Sequence, residues 1–536
     1  MESRTIQLSP ADINNEKLNI HPCGLDFFPP GILGGSTRNK PGTLITLKVA
    51  GLKNTITTDI PTEKTGAIRW FFRRRKWITH FINQHGLSAG DSIIITRIDE
   101  KTYEITPGNG HSNNKNDDMP LIKNKTTTDV KNTYSVVKLH QSPTNPRYVK
   151  HDTPLDSLNL NWKERDLPEK ERTKHVHRLH PYLGKYIPQL VEIFLRRFFS
   201  PGETVLDPFV GSGTTLVQAN ELGINAIGYD VSAFNILLCR VKTAKYDLSK
   251  TRSEVMDILQ KVRQLTHPGK SQESLFEKKS RSIERDEKNH TDDPYLKEWF
   301  APQSLFELLT YRNLIDTGKY EYGDLLRVIL SRSARSARLT THFDLDFPKR
   351  SQREPYWCYK HSRTCVPTEE AYKFLYRYSL DTLERIEEFA SLRTNSSVEV
   401  HNSDSRNMKL RHIHGVITSP PYVGLIDYHE QHAYSYHLFS LPKNSVNEIG
   451  SPKNGANPKA KEVYKRDISE VLRRSLSAMP SGRHLIVVAH DRAKIYDEIA
   501  SELKVEVEAV INRHVNRRTG RRGGEFFESV FIWRKP

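Results

Sequence analysis

The chain has 536 residues, 36% of them hydrophobic and 27% charged, which is too long for one ordinary core and sets an expectation of two or three globular domains. A formal net charge of +17, from 81 Lys and Arg against 64 Asp and Glu, favours a polyanionic partner, nucleic acid above all. No apolar run is long enough to span a bilayer, so no membrane partner is expected. The opening "MESRTIQLSPADINNEKLNI" has no apolar signal core. Four scattered cysteines (Cys23, Cys239, Cys358, Cys365) exclude a disulfide framework, and a cytoplasmic location follows as the expectation.

Residues 1–107 alternate short β-rich runs with turn residues: "GTLITLKVAG", "NTITTDIP", "DSIIITRI", "TYEITP". One helix is expected in "KWITHFINQHG", with Trp77, Phe81 and Ile82 at helical spacing and Gly86 as its stop. Before it, "RWFFRRRKW" sets Arg73, Arg74, Arg75 and Lys76 beside aromatics, a pattern that contacts phosphates while the rings pack inward. A solvated basic edge is the plainer alternative. Over residues 22–107, Trp77, Phe81, Leu87, Gly90 and Asp91 resemble the B3-like DNA-binding pseudobarrel of plant auxin-response factors and some restriction endonucleases. A swapped-hairpin barrel would also carry "LSAGDSIIIT". The polar stretch 108–150 reads as a linker.

"GETVLDPFVGSGTTLVQANELGINAIGYDVSAFN" reads as strand (204–206), tight glycine turn, helix (214–222), strand (226–229), then Asp230. Gly211 and Gly213 allow backbone angles and close approach that a side chain would block. Asp230, after the second strand, is placed to accept from both ribose hydroxyls of a nucleoside. The loop opens with Asp-Pro-Phe and lacks the Lys-Ser/Thr ending of a phosphate loop, so a nucleoside without phosphates fits better. Asp207 and Asp230 would favour a cationic sulfonium ligand. Much later, the apolar run of "HGVITSPPY" stops in a rigid, donor-poor double proline followed by a tyrosine.

"DPFVGSGTT", "GYD" and "TSPPY" together resemble the amino-methyltransferases of DNA, which methylate the exocyclic nitrogen of cytosine or adenine. The resemblance implies an α/β, Rossmann-like methyltransferase sheet and S-adenosyl-L-methionine as cofactor, bound by Asp207, Pro208, Phe209, Gly211, Gly213, Thr214, Thr215 and Asp230. His180, Pro181, Lys185 and Tyr186 match the family segment that closes over the methionine end of the ligand. Asp404, in "VEVHNSDSRN", matches the acceptor for the cofactor's adenine amino group; a turn-capping Asp is the alternative. Ser419, Pro420, Pro421 and Tyr422 match the catalytic loop. There the serine side chain and first prolyl carbonyl would accept from the target amino group, and the tyrosine would stack on a base flipped out of the duplex. Serine before the proline pair is, by resemblance, the cytosine-N4 pattern; aspartate is the adenine-N6 pattern.

The methyltransferase domain would then occupy 151–244 and 396–536, interrupted by a mainly helical insertion at 245–395, a candidate target-recognition region. In it, "SRSARSAR" spaces arginines to follow phosphates, with a solvated face as the alternative. "WCYKHSRTC" brings Cys358, His361 and Cys365 together without an evident fourth ligand, so no metal is expected. Cys23 and Cys239 read as structural. "VEAVINRHV" and "ESVFIWRK" pair as a hairpin whose tip carries Arg517, Arg518, Arg521 and Arg522, placed for phosphates around the extruded nucleotide. The expected protein is a site-specific DNA methyltransferase acting on cytosine N4 in double-stranded DNA, partnered in function by a restriction endonuclease for the same site. Adenine-N6 transfer and RNA base methylation are the alternatives, and a non-catalytic DNA-binding regulator is disfavoured by both intact loops.

Overall fold

The computed structural model describes residues 2–536 except 10–11, 13–17, 38–39, 53, 64–65, 76, 88–89, 109–141, 183–185, 268–290, 343, 346–347, 423–427, 445–446, 451–454, 456, 492 and 516–525. Contacts divide the chain into two units, Met1–Val130 and Lys131–Pro536. Most of the expected 108–150 linker lies outside the described residues. Its last part does not behave as a linker: Val149 is buried with Leu158, Leu160 and Phe194 in the core of the second unit.

The first unit contains β1 (Glu2–Gln7), β2 (Leu33–Gly34), β3 (Ile45–Val49), β4 (Ile56–Thr58), β5 (Ile60–Pro61), α1 (Trp77–Gln84), β6 (Ser92–Arg97) and β7 (Thr102–Pro107). Five strands form a sheet in the order β1-β6-β7-β3-β4, with β3 parallel to β7 and the other pairs antiparallel, while β2 and β5 pair separately. Inward positions recur every second residue, as in Ile45, Leu47 and Val49, or Ile93 and Ile95. Trp77, Ile78, Phe81 and Ile82 of α1 are buried in the same core. Cys23 belongs to it too, and burial pushes its thiol up to about 12, so it is an inert packing group.

In the second unit, α2 (Pro188–Phe198), β8 (Thr204–Asp207), α3 (Thr214–Glu221), β9 (Asn225–Asp230) and α4 (Ala233–Thr243) come first. Helices α5 (Leu248–Thr266), α6 (Pro294–Trp299), α7 (Pro302–Thr317) and α8 (Gly323–Ala337) follow, then a small hairpin of β10 (Tyr356–Cys358) and β11 (Arg363–Cys365), and α9 (Tyr372–Ala390). The chain returns to the sheet with β12 (Val398–Asn402), β13 (Gly415–Thr418), α10 (Ala433–Phe439), α11 (Pro458–Ser477), β14 (His484–Ala489), α12 (Ile495–Leu503), β15 (Glu506–His514) and β16 (Phe527–Arg534).

Seven strands form one sheet in the order β12-β9-β8-β13-β14-β16-β15. The first five are mutually parallel; β16 runs antiparallel to both neighbours. The central strands are covered on both faces, which is why Val205 and Leu206, Val416 and Ile417, and Leu485 to Val488 are continuous apolar runs. The chain leaves β8 in one direction, through β9 to β12, then crosses back to β13 on the other side of β8. That reversal opens a crevice at the carboxyl ends of β8 and β13, the place where open α/β sheets bind ligands.

The insertion is helical as expected, but it is not a separate body. Val255, Leu308, Leu326 and Leu383 share one core with Phe234 and Leu238 of α4 and Tyr434 of α10. Two of the three arginines of "SRSARSAR" do not face solvent, against the expectation of a phosphate-tracking face. Arg332 is buried, bonded to Asp381 and lying 4.2 Å over the Tyr378 ring, and Arg338 is buried 4.5 Å over Tyr434. The small residues between them (Ser331, Ser333, Ala334) let α8 pack closely, which carries the cations inside.

Candidate active site

The glycine turn after β8 forms because two of its residues have left-handed backbone angles, Gly211 with φ 48° and Gly213 with φ 84°. A Cβ on Gly213 would lie 3.1 Å from Cys239 Sγ, a tight contact that would make α4 shift, and the left-handed φ disfavours a side chain there in any case. Burial pushes the Cys239 thiol strongly up, and it behaves as core.

Asp207, at the end of β8, is buried beneath the turn. Its Oδ1 accepts from Thr418 Oγ1 at 2.7 Å and Phe209 N at 3.1 Å. Its Oδ2 accepts from Thr215 Oγ1 at 2.6 Å and Tyr186 OH at 2.9 Å. Burial raises its pKa, and these four bonds oppose the shift. One carboxylate therefore ties the glycine loop, α3 and the catalytic strand β13 together. Asp207, Gly213 and Thr215 do not line the open cleft; they hold its walls in register.

The cleft itself opens at the carboxyl ends of these strands. Its walls include Tyr186, Pro208, Phe209, Gly211 and Thr214 from the loop side, Asp230 from the end of β9, Asp404 after β12, and Ser419 and Pro421 after β13. Four strand ends far apart in sequence converge here. Asp230 accepts from Ser232 N at 2.8 Å, Gly211 N at 3.0 Å and Asn235 Nδ2 at 3.1 Å, yet burial raises its pKa to about 6. Asp404 caps the turn that follows it and is gripped by Arg406, whose other nitrogen reaches Asp467 at 2.8 Å.

Sequence reasoning missed Tyr182, Ser232, Asn235, Ser405, Asn447, Glu448 and Ile449, which also line the cleft. The Ser232 hydroxyl capping α4 through Asn235 N was a legible signal, since the pair directly follows Asp230. The others reach the cleft only through tertiary folding. Glu448 is brought in by a 2.5 Å contact with His429 Nδ1.

Tyr422 is half-buried just beyond Pro421. Its hydroxyl donates to Glu528 Oε1 at 2.8 Å, and Glu528 in turn accepts from Arg513 Nε at 2.9 Å. Its ring stands 6.3 Å from Phe526 and 6.2 Å from His490, two rings themselves stacked at 4.2 Å. Lys185 and the tip arginines Arg517, Arg518, Arg521 and Arg522 lie outside the described residues, as does Lys76.

The basic run of the first unit divides by role. Arg73 grips buried Asp59 with Nε at 2.5 Å and Nη2 at 2.8 Å, and donates to the carbonyls of Gly35 and Thr37. Its guanidinium is consumed by the fold, which corrects the expectation that it faces phosphate; the cause is a buried carboxylate that needs a partner. Arg74 is exposed, and Arg75 lies 5.3 Å over the Phe71 ring.

The cleft's chemistry selects a ligand class. Among the described lining residues there are three carboxylates (Asp230, Asp404, Glu448) and neither lysine nor arginine. Such a wall repels phosphates and accepts a cation. Ser212 Oγ and Asn235 Oδ1 are buried without a hydrogen-bond partner, as the walls of a polar ligand's site would be. A nucleoside bearing a sulfonium satisfies all three features.

The strand order and this cleft define a methyltransferase that uses S-adenosylmethionine. Residues 52–239 match the DNA methylase family of N6 and N4 methyltransferases. Over 430 residues the chain is 37% identical to the type II methyltransferase M.MjaII of Methanocaldococcus jannaschii, covering 68% of this chain and 81% of that one. It is 25% identical over 279 residues to the type II methyltransferase M.MvaI of Kocuria varians, covering 50% and 55%. The chain belongs to the type II DNA methyltransferases. Among solved structures, TrmN from Thermus thermophilus aligns with 66% of this chain and 50% of its own at 10% identity and a TM-score of 0.24. The rRNA methyltransferase aviRa from Streptomyces viridochromogenes aligns with 66% and 88% at 13% identity and 0.25. Those scores are too low to place the fold, which rests on the strand order. No helix among the described residues is long and apolar enough to cross a membrane.

Proposed function

We propose that this enzyme methylates the exocyclic N4 of a cytosine within a specific duplex site, and that the modification shields host DNA from an endonuclease that cuts the same site. The observation that carries the reading is the serine at the end of β13. Ser419, not a carboxylate, precedes Pro420 and Pro421 on the wall of the cleft that also holds Asp230 and Asp404.

When bound, S-adenosylmethionine supplies a methyl group on a cationic sulfur. The chain's part is to hold and aim. The Asp230 carboxylate would accept from the ribose hydroxyls, and Asp404 would hold the adenine amino group. An exocyclic nitrogen is a poor nucleophile because its lone pair is delocalised into the ring. The Ser419 hydroxyl and the Pro420 carbonyl accept its two hydrogens, which turns the lone pair toward the cleft. The base must leave the duplex to reach them, and the Tyr422 ring stacks on it there. With the reactants so placed, direct in-line transfer needs no covalent adduct, and positioning supplies much of the barrier reduction. The first unit, B3-like in sequence, adds DNA affinity through exposed cations such as Arg74.

Mass spectrometry of nucleosides from duplex DNA methylated in vitro tests the reading. N4-methylcytosine is expected. N6-methyladenine would reassign the base and keep the mechanism, whereas 5-methylcytosine would overturn both.

A further inference from the structure

The helical insertion carries a cluster that neither cofactor binding nor base chemistry uses. Just past the end of α8, His342 approaches the β10–β11 hairpin. One ligand atom from each of His342, Cys358, His361 and Cys365 lies within 4.8 Å of the other three. Cys358 Sγ is 3.6 Å from His342 Nδ1 and 3.6 Å from His361 Nδ1, and Cys365 Sγ is 3.5 Å from His361 Nδ1. We propose that these four side chains bind one zinc ion, which ties the β10–β11 hairpin to His342 beyond α8. The sequence shows three ligands side by side, which set the expectation of no metal; the fold brings a fourth ligand atom to them.

The spacing fits a metal better than the alternatives. Four ligands around Zn²⁺, with Zn–S about 2.3 Å and Zn–N about 2.0–2.1 Å, stand about 3.5–3.6 Å apart for each sulfur–nitrogen pair. The observed separations match. A disulfide does not fit. Cys358 pairs with Arg363 across the hairpin and Cys365 with Tyr356, so the two cysteines are diagonal neighbours on one face. Diagonal Cβ atoms lie well beyond the roughly 3.5–4.5 Å that a disulfide needs. A diagonal pair does leave room for an ion between the sulfurs, with His361 in the connecting turn. That turn is closed by His361 N donating to Cys358 O at 3.1 Å and by Ser362 in a left-handed conformation, φ 50°.

The hairpin has little else to hold it. Its strands are three residues long, and the side chains buried in them are the two cysteines. Trp357, Tyr359 and Val366 point outward at 55%, 84% and 71% exposure. A two-stranded hairpin of this length does not stand alone, and a structural zinc supplies folding free energy where a core is missing. Charge is consistent as well. His342 is surrounded by His361, Lys360, Arg363 and Lys373. Two thiolates neutralise the dication, so the occupied site adds no net charge to this basic patch, and binding releases the two thiol protons. The Tyr356 hydroxyl, 2.7 Å from His342 Nδ1, gives up that contact when the nitrogen turns to the metal, and keeps its bond from the His342 backbone N–H at 3.1 Å.

A second cluster, His175, His177 and Glu221, is the natural control. It offers three ligands, and Glu221 is already paired with Lys174 Nζ at 2.8 Å and His175 at 2.7 Å.

The test is elemental analysis of the untagged full-length protein after dialysis. About one zinc per chain is expected. The double variant Cys358→Ser/Cys365→Ser should fall below about one tenth of that. Should that variant fail to fold, His342→Ala, at an exposed position, should lose zinc to a chelator that the wild-type protein resists. Cobalt(II) exchanged into the wild-type protein should give tetrahedral ligand-field bands with thiolate charge transfer, and chelation should open the 349–363 segment to trypsin. Affinity for S-adenosylmethionine should persist in the chelated protein, which separates this site from the cleft. A protein that contains no zinc and takes up no cobalt overturns the proposal. Zinc retained in the double variant overturns it equally, since the metal would then sit elsewhere.

Discussion

Asp230 should make cofactor binding sensitive to pH in a range where ordinary aspartates are silent. Its carboxyl is buried, and burial raises its pKa from 3.8 to about 6 although three N–H groups donate to it. Ribose hydroxyls donate to an ionised acceptor, so the competent form is the carboxylate. With a pKa of about 6, the group is almost wholly ionised at pH 7.5 and only about one tenth ionised at pH 5. Affinity for S-adenosylmethionine should therefore fall about tenfold between those values, about 1.4 kcal/mol. The stability of the ligand-free protein should respond with the opposite sign. A folded-state pKa above the unfolded value gives a contribution that is full below about pH 4 and lost as pH rises through about 6. Its upper bound is about 3 kcal/mol for a shift of about two units. The assay is calorimetric titration at several pH values in buffers of different ionisation enthalpy, which counts the protons released. Asp230→Asn should bind weakly at every pH without the step. An affinity that stays flat from pH 5 to 7.5, or a step that survives in Asp230→Asn, would refute the assignment.

Other perturbations follow from the same contacts. Gly213→Ala forces an L side chain into a left-handed conformation against Cys239 Sγ, costing about 1–2 kcal/mol; thermal denaturation should show the loss and cofactor affinity should fall with it. Arg73→Ala strands the buried Asp59 carboxylate and should destabilise the first unit by about 3–5 kcal/mol in denaturant titration. Arg74→Ala should leave stability alone and flatten the salt dependence of DNA binding by about one unit of slope. Tyr422→Ala should slow transfer through the loss of about 1–3 kcal/mol of stacking, while Tyr422→Phe, which keeps the ring and loses the bond to Glu528, should slow it less in the same rapid-quench assay. A duplex carrying 5-fluorocytosine at the target should yield no covalent complex on a denaturing gel, because no cysteine lines the cleft.

What the sequence revealed was what short-range chemistry dictates. The glycine turn, the strands on either side of it and the stop at Pro420–Pro421 are local events, and each appears within a residue or two of its expected place. Asp230 and Asp404 were legible as cleft residues because one ends β9 and the other follows β12, and the carboxyl ends of such parallel strands meet at one edge. Reasoning from neighbours failed where a distant residue decided the outcome. Arg73 looked like its exposed neighbour Arg74 until Asp59, between β4 and β5, consumed it. Arg332 and Arg338 were drawn inward by Asp381 and by the rings of Tyr378 and Tyr434. Asn447, Glu448 and Ile449 reach the cleft from a loop with no periodic signal, and His342 completes a ligand set whose other members lie beyond a turn of chain. Asp207, read as a ligand contact, also braces β8, α3 and β13. Its type and position were legible, but its orientation was set by Thr418, which is contributed by the far side of the sheet crossover.

The most direct measurement is single-turnover methyl transfer by Ser419→Ala, with enzyme and cofactor in excess over a duplex containing the site. The hydroxyl is assigned to the target amino group, on the wall of the cleft beside the cofactor. Its loss should slow the chemical step about 10- to 100-fold, equivalent to about 1.5–3 kcal/mol, while S-adenosylmethionine and DNA affinities stay near wild type. An unchanged rate, or a loss explained wholly by weaker cofactor binding, would contradict the claim that the end of β13 holds the accepting nitrogen at the cleft.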